Sequence, residues 1–140
     1  MTDVVTSDFE LDTRLAADSV LIADGPLSQI RLMNDARFPW VVLVPRVAGA
    51  SEWIDLSGDQ QRLLLAEINQ ISRHLKQKPN VTKLNIGALG NIVRQLHVHL
   101  IGRFEGDAAW PGPVWGSGPA QRLDTNVLAE RVEIWRQRLR

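Results

Sequence analysis

The chain has 140 residues, 44% hydrophobic and 23% charged, the proportions of a globular domain with a proper core. One domain over 1–140 is expected, with a core over about 9–105 and a Pro/Gly/Trp segment and C-terminal helix over 106–140. Lys+Arg and Asp+Glu are 16 each and cysteine is absent, which argues against a general nucleic-acid binder and excludes disulfide or thiol chemistry.

No basic leader precedes an apolar run, and no stretch approaches ~18 apolar residues, so a cytoplasmic protein without membrane contact is expected. Residues 1 to 8 read as a loose tail, and Phe9 to Asp18 as a short helix. Ser19 to Ala23 and Ser28 to Asn34 form a hairpin about the turn signal Asp24-Gly25-Pro26. In the second strand Ile30, Leu32 and Asn34 should share one face, with Gln29, Arg31 and Met33 on the other. Trp40 to Pro45 is continuously apolar, as in a central strand covered on both sides.

Ser57-Gly58-Asp59-Gln60 has capping-box form. Leu64, Ile68, Ile71 and Leu75 follow at helical spacing, widened by Leu63 and Leu65, and Lys78-Pro79-Asn80 ends the helix. His74 beside this stripe reads as a surface or boundary residue. Thr82 to Ala88 reads as a fourth strand with Leu84 and Ile86 opposite Asn85, followed by a turn containing Gly90 and Asn91. Leu128, Val132, Trp135 and Leu139 form a last helical stripe, with Arg136, Arg138 and Arg140 read as solvated. Trp110 and Trp115 make the segment before it too apolar for a free linker. Hairpins and one long helix predict an α+β fold: about five antiparallel strands, a main helix and a C-terminal helix.

The remaining strand carries the chemistry. Residues 95 to 101 alternate, so Gln95, His97 and His99 should share one face, with Leu96, Val98 and Leu100 on the other. A row of two imidazoles can be a merely wet strand face. It can contribute to a metal site, although two nitrogens are fewer than a catalytic zinc requires and no cysteine can add a third. Or one imidazole can attack a substrate while its neighbour donates hydrogen bonds to the group under attack.

Gln95-Leu96-His97-Val98-His99-Leu100-Ile101 resembles the signature of the histidine triad (HIT) superfamily, His-φ-His-φ-His-φ-φ, where φ is apolar. Gln95 stands for the first histidine. Upstream, Leu84-Asn85-Ile86-Gly87 and Gly90-Asn91 resemble the family's Asn-bearing strand and turn. Leu32-Met33-Asn34 and Trp40 to Pro45 resemble its ribose-binding strand end and partner strand. The resemblance covers roughly residues 20 to 105. Trp40 departs from it, because the family often has histidine there, and Ile92 stands where Ser or Thr is common.

The resemblance implies a HIT-like fold and a hydrolase or nucleotidyl transferase acting at the α-phosphate of a nucleotide. A dinucleoside polyphosphate or nucleoside phosphoramidate would be typical. It implies His97 as nucleophile, with His99 and Gln95 supporting it, and Asn34, Asn85, Asn91 and Leu32 as substrate-binding residues. It further implies a purine nucleotide or dinucleotide substrate, a homodimer, and neither cofactor nor metal. Asn34-Asp35 serves equally as a turn, for which Asn and Asp are favoured. The alternative reading is a nucleotide-binding module with little turnover; a metal-dependent hydrolase is a weaker third.

Overall fold

The computed structural model describes residues 4–140. It is an α+β structure built on one five-stranded antiparallel sheet. The strands are β1 (Ser19–Asp24), β2 (Ser28–Met33), β3 (Trp40–Pro45), β4 (Lys83–Gly87) and β5 (Val98–Arg103). Their order across the sheet is β1-β2-β3-β5-β4, so the wholly apolar β3 is central, as its composition requires. The helices are α1 (Thr13–Asp18), α2 (Gly58–Lys76) and α3 (Thr125–Arg138).

The two faces of the sheet are covered differently. Val41, Leu43, Val98 and Leu100 face the helical side, where they meet Leu64, Ile71 and Leu75 of α2 and Val132 and Trp135 of α3. The three α2 side chains are fully buried, each contributing about 1.5–3 kcal/mol. The helix starts where Ser57 and Gln60 complete a reciprocal capping box. Glu67 occupies a buried position on this stripe, while Leu65 faces solvent. The reason is the β1–β2 turn: Oε2 of Glu67 accepts the N–H groups of Leu27 (3.1 Å) and Ser28 (3.0 Å). His74 lies at the α2–α3 boundary, edge-on to Trp135.

The opposite face has no long helix. Trp40, Val42, Val44 and Ile101 are covered there by Leu15, Phe38 and Val114, with Phe9, Leu11 and Trp115 at the margin. Irregular chain cannot seal a sheet as a helix does, and the gap it leaves becomes the cleft described below.

Several local expectations change. The tail is tied down from Val4 onward, because Gln60 donates to its carbonyl and Thr6 bonds both Arg46 and Ala48. Residues 1–3 lie outside the described residues. Arg136 is not simply solvated. It donates to the carbonyls of Ile22 (2.8 Å) and Leu21 (3.1 Å), where a register shift disrupts the β1–β2 ladder. The histidine-bearing strand starts at Val98 rather than at residue 95.

Candidate functional site

Pairing places His99 opposite Val42 on β3 and Gly87 on β4. Its side chain therefore rises from the face that lacks a long helix. His97 immediately precedes β5, and the two rings meet edge-to-face with centroids 4.8 Å apart. Both histidines are 7% exposed. They lie at the floor of a cleft of about 600 Å³, a size suited to a small-molecule ligand.

The proton on each ring is fixed by its partner. Nδ1 of His97 lies 2.7 Å from the main-chain carbonyl of Gln95. A carbonyl can only accept, so Nδ1 donates and Nε2 keeps a free lone pair. The reverse holds for His99. The indole N–H of Trp40 points to its Nδ1 at 3.0 Å, and an indole can only donate, so the His99 proton resides on Nε2. Burial, followed by the neighbouring His97, pushes the His99 pKa down to about 3. A second proton on Nδ1 would also meet the indole N–H head-on. One ring thus offers a lone pair and the other an N–H.

His99 is held between two indoles, with centroid distances of 5.6 Å to both Trp40 and Trp115. Trp115 lies over the sheet against Gly87. A Cβ there would stand 3.0 Å from the indole, a tight contact that the ring would have to yield to by a few tenths of an ångström.

One wall of the cleft is formed by Leu89, Gly90, Asn91, Ile92 and Val93. The opposite side carries Met33, Asn34, Asp35 and Arg37, completed by Val114, Trp115 and Arg122 from the C-terminal region. Asn34 accepts the N–H of Leu123 at 2.8 Å. Asp35 ion-pairs with Arg37 at 2.9 Å and accepts the N–H of Gln121 at 3.4 Å. Burial raises the Asp35 pKa, but hydrogen bonds from Arg37 and Gln121 outweigh it and leave the group below its ordinary value. The Asn-Asp turn therefore anchors the far wall while facing the cleft.

Behind Trp115 lies a buried bracket. Arg103, 1% exposed, donates to both oxygens of Asp107 at 2.7 and 2.9 Å, to Asn85 Oδ1 at 2.7 Å and to the Gly112 carbonyl at 2.9 Å. Its guanidinium also sits over the rings of Phe38 and Trp110. These bonds fasten the Pro/Gly/Trp segment to β5.

Of the residues singled out from the sequence, His97, His99, Asn34 and Asn91 line the cleft, whereas Gln95, Asn85 and Leu32 do not. The amide of Gln95 turns to the N-terminal segment, accepting from Asp12 N–H (2.8 Å) and donating to the Glu10 carbonyl (2.7 Å). Its main-chain carbonyl is the group that bonds His97. Asn85 shares the His99 face but is held by Arg103 one pair further along the ladder. Leu32 pairs with Val41 and enters the helical core. Asn34 does not share its face, because β2 ends at Met33 and the alternation ends with it. Among the described residues, no three His, Cys, Asp or Glu side chains converge as metal ligands, and no helix is long and apolar enough to cross a membrane.

The family model described as HIT domain matches residues 14–106. Three solved structures resemble nearly the whole chain. A histidine triad protein from Bradyrhizobium japonicum is 45% identical, with 94% of this chain and 98% of that one covered and a TM-score of 0.89. One from Sinorhizobium meliloti 1021 is 46% identical over 95% and 96% of the two chains, with a TM-score of 0.86. One from Marinobacter aquaeolei VT8 is 42% identical over 94% and 96%, with a TM-score of 0.90. A search of curated proteins finds no match. The chain belongs to the HIT domain family. Membership supports a nucleotide-binding, hydrolase-type function in general.

Proposed function

We propose that the protein hydrolyses or transfers nucleotides at the α-phosphate through a nucleotidyl intermediate on His97. The observation that carries this reading is the opposite polarity of the two rings: a free Nε2 lone pair on His97 beside an Nε2–H on His99. Nε2 of His97 attacks phosphorus, the bond from phosphorus to the leaving group breaks and its electron pair departs with that group, while Nδ1–H donates to the Gln95 carbonyl, which supports the positive charge formed on the ring. His99 donates to a phosphate oxygen as its charge develops. Water then attacks phosphorus, the bond to Nε2 breaks, and the nucleoside monophosphate departs with a proton released to solvent. Asn34 and Asn91 position the ribose and phosphates from either side.

Incubation with a diadenosine polyphosphate tests this. Wild type should release nucleoside monophosphate and retain an acid-labile nucleotide label, while His97→Ala should do neither. Binding without turnover by wild type would favour the nucleotide-binding module, and a wild-type rate in His97→Ala would refute the intermediate.

The same reading has the chain pairing as a homodimer through β4. The other sheet edge, β1, has α3 packed against it, with Arg136 taking two of its carbonyls. β4 is the opposite edge strand and carries the exposed Ile86, a template for a second strand. Sedimentation at tens of micromolar should give a dimer; a monomer at that concentration would rule the pairing out.

A further inference from the structure

We propose that this site acts on nucleotides whose leaving group departs as a stable anion without receiving a proton, and discriminates against phosphoramidates of alkyl amines and against alkyl esters. The inference rests on the His97 reading above and narrows it to a substrate class, phosphoanhydrides and similarly acidic leaving groups.

The argument is an inventory of protons. When Nε2 of His97 bonds to phosphorus, the bond from phosphorus to the leaving atom breaks and its electron pair goes with that atom. A phosphate or polyphosphate oxygen spreads the pair over its neighbours and needs nothing more. An amine nitrogen or an alkoxide oxygen is a strong base and requires a proton as it departs.

Among the described residues lining the cleft, none is placed to give one. In the neutral ring that attacks, the one proton of His97 is on Nδ1 and is committed to the Gln95 carbonyl. His99 has its proton on Nε2, and surrendering it would leave an imidazolate anion. It could serve as an acid only after gaining a second proton on Nδ1, where the Trp40 indole already donates. The other groups packed around His99 are the Trp115 ring and the backbone of Gly87, neither of which titrates. Asp35 and Asp18 are ion-paired with Arg37 and Arg122. Arginines keep their protons.

The cleft continues past His97 into adjoining pockets bordered by Leu89, Gly90, Glu52 and Arg94. Glu52 accepts a backbone N–H in the cap of the 3-10 turn Trp53–Asp55. Ile92, at the cleft mouth, is 77% exposed and apolar, and Gln95 is turned away. Arg94 borders the adjoining pocket and adds a cation on this side of the molecule, which suits a departing anion. The site can therefore steady negative charge on a leaving group and cannot neutralise it by proton transfer.

The test uses the wild-type chain. Turnover is measured on aryl esters of one nucleoside 5′-phosphate with phenols of graded acidity, on the corresponding diphosphate anhydride, and on an alkyl-amine phosphoramidate. The expected result is a rate falling about tenfold per unit rise in the phenol's pKa, the full cost of carrying the electron pair unaided. The phosphoramidate should lag the anhydride by at least about a thousandfold, the scale of a missing general acid. In parallel, nitrogen NMR should show His99 with its proton on Nε2 and unchanged from about pH 5 to 9. A dependence shallower than about twofold per unit, a phosphoramidate as fast as the anhydride, or a His99 that titrates in that window would overturn the proposal. Absence of turnover on every compound, or equal turnover by His97→Ala, would instead remove the His97 reading on which it stands.

Discussion

Replacing Arg103 with methionine would expose the cost of the bracket behind the cleft. Methionine occupies much of the same stem volume but supplies none of the four hydrogen bonds that Arg103 makes to Asp107, Asn85 and Gly112. The Asp107 carboxylate stays buried with its counter-ion gone. Breaking such a pair from one side costs about 3–5 kcal/mol. Asp107 would keep the N–H groups of Phe104, Ala109 and Trp110 at 3.3, 3.2 and 2.9 Å, which places the loss near the lower end, about 3 kcal/mol. For a chain of this length that is a fall in Tm of roughly 10 °C. Urea unfolding measures it directly. The double variant Arg103→Met/Asp107→Leu should recover part of the loss, because it removes the stranded charge as well. A single variant within about 1 kcal/mol of wild type, or a double variant no better than the single, would show that the bracket does not hold this segment.

Other outcomes follow from neighbouring contacts. Hydrogen bonds from Arg103 come first among the causes holding the Asp107 pKa at about 2, below the unfolded value near ~3.9. Its contribution to stability is therefore complete above about pH 4 and lost as the pH falls toward 2; unfolding free energies across that range should show a slope that Asp107→Asn abolishes. Trp40→Phe removes the N–H directed at His99 Nδ1 and should slow turnover about 10- to 100-fold while releasing His99 into a tautomer mixture visible by nitrogen NMR. An unchanged rate and a single tautomer would defeat that assignment. Glu67→Ala strands the N–H groups of Leu27 and Ser28, so urea unfolding should record a loss of about 3 kcal/mol; less than about 1 would mean that water replaces the carboxylate there. Gly87→Val drives a side chain into Trp115 and should raise KM about tenfold with little change in kcat, and a wild-type KM would separate the indole from the substrate.

The sequence disclosed those parts of the molecule that depend on local periodicity. β3 is apolar on both faces because it is central, and α2 begins at its capping box because both partners lie within four residues. The two histidines share a face for the same local reason. Periodicity failed where a distant contact overrode it. Gln95 continues the alternation of the motif, yet its amide fits the N–H and C=O of residues some 85 positions earlier. Leu32 and Asn34 sit two apart and diverge because the strand ends between them. Arg136 reads as a solvated charge at a helix end; its partners are two carbonyls on another segment, which nothing in its spacing announces, and Arg103 has its carboxylate four residues on but reaches Asn85 and Gly112 only through the fold. The departure at Trp40 was visible as a mismatch with the family pattern, but its meaning needed the 3.0 Å contact to His99.

The far wall of the cleft has a consequence for how such a protein can be altered. Val114, Trp115, Gly116, Gly118, Ala120 and Arg122 line the site, yet all lie beyond residues 14–106, the span shared with the family model. The two histidines and one wall of the cleft around them are thus encoded in separate stretches of chain, joined by Arg103–Asp107 on one side and by Asn34 and Asp35 on the other. Exchanging the stretch between those two fastenings, with Trp115 retained, should reshape one wall of the cleft while leaving both imidazoles in place. A library confined to residues 113–120, with Trp115 kept against His99, would vary that wall alone.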